Sequence, residues 1–346
     1  MNTDKGGVLN DTELAAGKAR FERLLDVLDT VLFGQRELIE LVVVGVAARG
    51  HILLEGLPGL GKTELVKGLA HALGLDARRV QFTPDLLPGD ITGNPVLQET
   101  SDGRRTFVFQ RGPIFANILL ADEINRASPK TQSALLEAMQ ERRVTAGGET
   151  HELPDPFFVL ATQNPIELEG TYPLPEAQLD RFLFKIEVRR NTPEVLERIV
   201  LAREIGVSPE VAPVMTPAEF GELLAWTRRV HVPATVANYI ARLVNATHPG
   251  ESAAAAGVRY GASPRAALAL AAAAKARGLR HGRPHASFED VRATARSVLA
   301  HRILLDHSAR LDGATPNKVV DALLAEIGVQ AAALPDSLSL AAAKVR

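Results

Sequence analysis

The chain contains no cysteine. This excludes disulfides, thiolate nucleophiles and cysteine-based zinc or iron–sulfur sites, and makes a reducing cytoplasm the default setting. Long hydrophobic runs are missing too. The longest uncharged apolar stretches, Leu41–Ala48 and Ala266–Ala274, fall well short of the roughly 18 residues that a membrane span needs. The N-terminal residues MNTDKGGVLNDTE show no apolar stretch behind a basic start, so no secretory signal is expected. Neither sign of charge dominates: 39 basic residues against 41 acidic ones leave a net −2, which gives no general drive towards nucleic acid or anionic membrane. The nine histidines follow no H-E-x-x-H or other ligand spacing, so no structural metal is expected.

What is present is a globular balance, 46% apolar and 23% charged, able to bury a sizeable core. At 346 residues the length favours two domains. Helical periodicity runs over 14–29 and 35–49, then short apolar strands alternate with helices. His51–Glu55, Val80–Thr83, Ile118–Ala121, Phe157–Thr162 and Phe184–Val188 read as strands, with helices over Leu65–Leu73 and Ser128–Gln140 between them. Hairpins are expected around Ser101–Gly103 and Gly147–Gly148. Near-continuously apolar strands alternating with helices predict a parallel sheet covered on both faces. Beyond Arg190–Pro193 only helical segments are expected: about 194–205, 217–229, 234–247, 264–277, 288–304 and 316–327. The division is therefore an α/β domain over 1–190 and an all-α domain over 191–346.

Gly56-Leu57-Pro58-Gly59-Leu60-Gly61-Lys62-Thr63 fits G-x-x-x-x-G-K-[ST], between a strand and a helix. Glycines let backbone N–H groups converge on phosphate oxygens without Cβ clashes. The helix N-terminus adds its positive end, Lys62 reaches the β- and γ-phosphates, and the Thr63 hydroxyl ligates Mg²⁺. A second motif, Ile118-Leu119-Leu120-Ala121-Asp122-Glu123, ends a buried strand in two carboxylates at the sheet edge where ligands sit. Asp122 is suited to the Mg²⁺ shell and Glu123 to polarising an attacking water. The second carboxylate argues for hydrolysis rather than kinase chemistry.

With these motifs in place the sequence resembles the AAA+ ATPases and, within them, the MoxR family. The resemblance rests on Glu55–Thr63, Gln81–Gly93 (QFTPDLLPGDITG), Leu119–Ala127 (LLADEINRA), Ala161–Pro165 (ATQNP), Pro173–Phe182 (PLPEAQLDRF) and Gly261–Ala267 (GASPRAA), in the family's order over about residues 30 to 270. It implies an AAA+ P-loop αβα core with a parallel sheet, followed by an all-α lid domain. Hairpins at about 85–112 (an insert in helix 2) and 143–153 (before sensor 1) would project from the core.

By the same resemblance Asn164 is the sensor-1 residue, a short amide able to bond the attacking water or the γ-phosphate. Arg181 corresponds to the arginine finger that reaches a neighbouring subunit's nucleotide, and Arg265 to sensor 2, with its cis or trans action left open. Phe33, Gly34 and Gln35 match the segment passing the adenine, and Glu64 belongs to the nucleotide-contacting set. Arg126 is open between a trans contact and a structural role. Arg104, Arg105, Arg142 and Arg143 are read as charges on solvated hairpins.

The implied function is Mg²⁺-dependent ATP hydrolysis by a cytoplasmic homo-oligomeric ring, a hexamer in the usual form, that remodels or matures a protein client. A separate partner with a von Willebrand factor A domain is also implied. The alternatives are a nucleic-acid motor of the helix-2-insert clade and a nucleotide-switched scaffold without significant turnover.

Overall fold

A computed structural model describes residues 7–57, 59–99, 105–165, 170–204, 207 and 209–329. Two helices open the chain, α1 (Asp11–Val31) and α2 (Arg36–Ala47). Asn10 starts α1 through a reciprocal cap: its side chain accepts from the Glu13 N–H at 2.8 Å while Glu13 accepts from the Asn10 N–H at 2.9 Å. The α/β layer follows as β1 (Ile52–Glu55), α3 (Lys62–Leu73), β2 (Ala77–Gln81), α4 (Pro88–Thr92), the hairpin β3 (Gly93–Glu99) and β4 (Arg105–Arg111), β5 (Ile118–Asp122) and α5 (Pro129–Glu141). It is completed by the hairpin β6 (Arg143–Ala146) and β7 (Glu149–Glu152), β8 (Phe158–Gln163), α6 (Glu176–Leu179) and β9 (Phe184–Glu187). The two hairpins touch, with Phe109 stacked on His151 at 4.0 Å between ring centroids.

Five parallel strands form the sheet in the order β2-β5-β8-β1-β9. Alternate residues of each strand point to opposite faces. Leu53, Leu119, Ala121, Val159 and Ala161 enter one buried cluster with α5. Ile52, Leu54, Ile118, Leu120, Phe158 and Leu160 enter the other, with α1, α2 and α3. Both faces are dry, which explains why these strands read as unbroken apolar runs.

The rest is mainly helical: α7 (Pro193–Ala202), α8 (Pro217–Arg229), α9 (Ala234–Asn245), α10 (Pro264–Arg280), α11 (Phe288–Leu299), α12 (His307–Leu311) and α13 (Pro316–Glu326). Val236, Leu270, Val291 and Val320 share one hydrophobic cluster with the α1–α3 layer. Arg277 and Arg280 of α10 add ion pairs to Glu40 of α2.

Three expectations need correction. The helical part also holds a small antiparallel pair, β10 (Val258–Tyr260) with β11 (Leu304–Leu305); strands of three and two residues carry no readable alternation. The helix expected over 288–304 stops at Leu299, followed by a 3-10 turn over Ala300–Arg302. The β2 strand begins at Ala77, three residues early, because Arg78 and Arg79 lie on an edge strand and are exposed. The turn Ser101–Gly103, Arg104 and Pro58 lie outside the described residues.

Candidate active site

Three adjacent strands end at one sheet edge, and the sheet order puts β8 between β5 and β1. β1 runs into the glycine loop, anchored where the Gly56 N–H donates to the Gln163 carbonyl at 3.1 Å. Gly59 and Gly61 have φ of +79° and +80°, the left-handed region that glycine enters at little cost. At Gly61 a Cβ would also stand 2.5 Å from Leu32 Cδ1. Gly61 caps α3, whose first residue is Lys62. The Lys62 side chain is buried and donates to the Gly56 carbonyl at 2.6 Å. Burial pulls its ammonium below the usual lysine range, and Asp122 and Glu123 pull it back up. Thr63 and Glu64 follow on the first turn of α3; Glu64 pairs with Lys67 at 3.0 Å. Leu60 packs partly buried against the core.

Asp122 ends β5. One carboxylate oxygen accepts from the Thr162 hydroxyl at 2.5 Å, the other from Arg79 Nη2 at 2.7 Å. Glu123 has φ +55°, a strained conformation for a non-glycine residue. Its N–H donates to Thr162 Oγ1 at 2.9 Å. Its carboxylate accepts from Gln81 Nε2 at 2.8 Å and from Arg126 Nη1 at 2.9 Å. Arg126 therefore holds Glu123 of its own chain. Asn164, 6% exposed, sits at the end of β8 between the acidic pair and the glycine loop. A hydroxyl, a carboxylate and the oxygens of a bound triphosphate make a hard oxygen donor set suited to Mg²⁺. No cluster of three or more metal-ligating side chains exists among the described residues. Phosphate oxygens and water would have to complete the shell.

Phe33, Gly34 and Gln35 stand to one side. Phe33 lies under the guanidinium groups of Arg198 and Arg203, at 4.8 and 5.0 Å. Gln35 donates to Asn191 Oδ1 at 2.9 Å. Gly34 and Gln35 line a groove of about 590 Å³ with Glu55, Asn191, Thr192 and Val195.

Arg181 and Arg265 are elsewhere. Leu183 N–H donates to the His51 carbonyl, and β9 runs parallel to β1 with Ile52 opposite Phe184. Residues 180–183 therefore lie at the N-terminal edge of the sheet, whereas the glycine loop leaves the C-terminal edge. Four residues of strand separate the two, about 13 Å. Arg181 and Arg265 share a groove of about 400 Å³ with Arg49, His51, Arg142, Asp180 and Arg302. Arg181 Nη1 donates to the Leu136 carbonyl at 2.6 Å, and its buried Nε has no hydrogen-bond partner.

Sequence reasoning missed Thr162, Gln81 and Arg79, which hold the acidic pair, and Arg302. Gln81 and Thr162 carried some signal, lying inside the quoted QFTPDLLPGDITG and ATQNP stretches; Arg79 and Arg302 carried none. Arg142 departs from its expectation: as the residue ending α5 it is half-buried, donating towards Phe157 and Arg49 carbonyls. Burial and then the neighbouring Arg49 pull its pKa below the usual arginine range. Arg143 and Arg105 are exposed, paired with Glu141 and Glu99.

Comparison with known proteins agrees with this fold. Residues 51–184 match the ATPase family associated with various cellular activities (AAA), and residues 250–323 match an AAA lid domain. Chaperone MoxR1 of Mycobacterium tuberculosis is 42% identical over 91% of this chain and 84% of its own length. Protein MoxR of Paracoccus denitrificans is 34% identical over 93% of this chain and 100% of its own length. The chain belongs to the MoxR family of AAA+ ATPases. A solved structure from Cytophaga hutchinsonii, provisionally named an ATPase, superposes on this MoxR-family fold with a TM-score of 0.84 at 38% identity, covering 92% of this chain and 97% of that one. Among the described residues, no helix is long and apolar enough to cross a membrane.

Proposed function

We propose that this MoxR-family ATPase cleaves Mg²⁺-bound ATP in a site completed by a neighbouring copy, within a closed ring, a hexamer in the usual form, that remodels a protein client. The observation carrying this is the separation of the two edges. Lys62, Asp122, Glu123 and Asn164 meet at the C-terminal edge, while Arg181 and Arg265 share a groove at the other, beyond reach of their own glycine loop. The buried Nε of Arg181 has no hydrogen-bond partner within the chain, and a head-to-tail contact would bring a neighbour's phosphates to this groove. Both arginines then act in trans.

In this reading Gly56 to Thr63 cradle the phosphates, with Lys62 leaving the Gly56 carbonyl for the γ-phosphate. Thr63 and Asp122 hold Mg²⁺, which when bound neutralises charge on the β- and γ-oxygens. Glu123 polarises water, Asn164 orients it, and Arg181 of the neighbour stabilises the charge that develops on the transferred phosphoryl. The adenine lies by Phe33, Gly34 and Gln35.

The hairpin supports a protein client over nucleic acid. Its outer surface is apolar: Leu97 is 50% and Phe107 74% exposed, and they stand opposite each other across the ladder. A phosphate backbone would call for basic groups there, whereas of the two arginines in the described part Arg105 is paired with Glu99 and Arg111 lies at the strand end over the Phe115 ring. The separate von Willebrand factor A-domain partner and a cytoplasmic setting belong to this proposal.

Subunit mixing tests it. Arg181→Ala copies keep an intact site and lack a finger; Glu123→Gln copies have the reverse defect. Each is expected to be nearly inactive alone, and their mixture to regain turnover. A mixture no more active than its components would overturn the shared site. So would a monomer in light scattering under every nucleotide condition.

A further inference from the structure

The segment carrying Arg181 is irregular, and its backbone carbonyls have no ladder to join. One side chain from the helical lid captures them. Arg302 lies on the 3-10 turn after α11, and its side chain is 3% exposed. Its Nη2 donates to the Asp180 carbonyl at 3.1 Å and the Phe182 carbonyl at 2.6 Å, and its Nη1 to the Leu183 carbonyl at 3.3 Å. Its Nε donates to Asp180 Oδ1 at 2.7 Å. The same guanidinium bonds the Val298 carbonyl in α11, which ties it back to the lid. Asp180 Oδ2 meanwhile accepts from the hydroxyl of Ser263, the cap of α10, at 2.9 Å, and lies 3.6 Å from Arg265 Nη1. Beside them His301 Nε2 lies 3.2 Å from the Phe182 carbonyl.

Three of these carbonyls, with the carboxylate, fix the backbone on both sides of Arg181 to one buried guanidinium. Through Ser263 the same carboxylate fixes the start of the helix that bears Arg265. Only a planar fork with five donors satisfies such an acceptor set; an ammonium meets part of it.

We propose that Arg302, with Asp180 and Ser263, is a positioning clamp that holds Arg181 and Arg265 as one rigid unit, so that lid movement in one copy is felt at the neighbour's triphosphate. The proposal rests on the trans reading above and adds a residue that touches no nucleotide.

The test uses Arg302→Lys in the full chain, which keeps the buried charge and loses the fork. Expected is a kcat at least tenfold lower with KM for ATP within about twofold, because the variant's own phosphate loop is intact. Mixed with excess Glu123→Gln copies, whose clamps are intact, Arg302→Lys copies should regain turnover just as Arg181→Ala copies do. If Arg181→Ala is rescued and Arg302→Lys is not, the clamp is wrong while the shared site stands. If neither is rescued, the shared site itself fails and the clamp falls with it. An unchanged kcat for Arg302→Lys also overturns the clamp. Should that variant not fold, Ser263→Gly removes the hydroxymethyl group that reaches Asp180 while keeping a residue tolerated as a cap. About threefold lower kcat, restored by mixing, is then expected; wild-type kcat or loss without rescue would overturn the clamp.

Discussion

The two edges of the central sheet are built differently. At the C-terminal edge the groups proposed to face a triphosphate come from contiguous motifs: one loop, one strand end, one residue after the next strand. Much of the recognition there is backbone, shaped by Gly59 and Gly61 at positive φ. At the N-terminal edge Arg49, Arg142, Arg181, Arg265 and Arg302 are gathered from distant stretches around the single groove aspartate, Asp180. One edge can bind an anion by itself; the other concentrates positive charge and holds no reacting group. This separation is the ground on which the head-to-tail contact is proposed.

The strongest way to break this comparison is to remove the finger. Arg181→Ala should lower turnover by about 10³–10⁵ with nucleotide affinity nearly unchanged, because no part of the binding loop is touched. A large loss of affinity, measured by equilibrium titration with a fluorescent ATP analogue, would mean that Arg181 serves its own site.

Next in size is Glu123→Gln. Loss of a general base costs about 10²–10⁴ in turnover. The amide is nearly isosteric with the carboxylate, so binding and assembly should persist. Single-turnover phosphate release against binding by the same preparation checks this, and turnover within twofold of the wild type would count against hydrolysis at this carboxylate.

The same contrast governs what was legible in the sequence. Gly56 to Thr63 and Asp122–Glu123 are contiguous because a tight turn and a strand end are local structures, so spacing alone exposes them. The three central strands β5, β8 and β1 were legible because both faces are buried and their apolar runs are continuous, whereas edge strand β2, with Arg78 and Arg79 exposed, was legible only from Val80. The groove was not, because Arg302 meets Asp180 across 122 residues, and no periodicity encodes a tertiary contact. Gln81 and Thr162 were overlooked for a related reason. Each is an ordinary polar residue near a strand end, and only the register between strands brings it onto an acid.

A third prediction concerns stability at the N-terminal edge, where His51 is locked into one neutral tautomer. Its Nδ1 accepts from the Val159 N–H at 3.0 Å, and its Nε2 faces the Met139 carbonyl at 3.2 Å. A second proton on Nδ1 would face a donor, so folding favours the neutral ring. Burial, with Arg142 nearby, lowers its pKa from 6.5 to about 4. Between those values the unfolded chain binds more protons. Stability therefore falls as pH drops from about 6.5 to about 4, by about 3 kcal/mol from this residue. Buried His301 shifts in the same direction. His51→Gln should be less stable at pH 7 and flatter across the window. Urea midpoints at pH 7, 6 and 5 would show this, and parallel wild-type and variant curves would refute it.

The smallest effect expected lies back at the C-terminal edge. Glu123 is held by Gln81 and Arg126, and a carboxylate occupied by two donors is a poorer acceptor for a water proton. Both bonds fall on Glu123 Oε2, so their effect is to lower the basicity of the carboxylate rather than to block it. A hydrogen bond of this kind contributes about 1 kcal/mol net, so Gln81→Ala should raise basal turnover by up to about fivefold at saturating ATP. Steady-state phosphate release decides it: an unchanged or lower basal rate would mean that Gln81 aims the carboxylate at its water rather than restraining it. The C-terminal edge would then be as preorganised as the clamped groove opposite it.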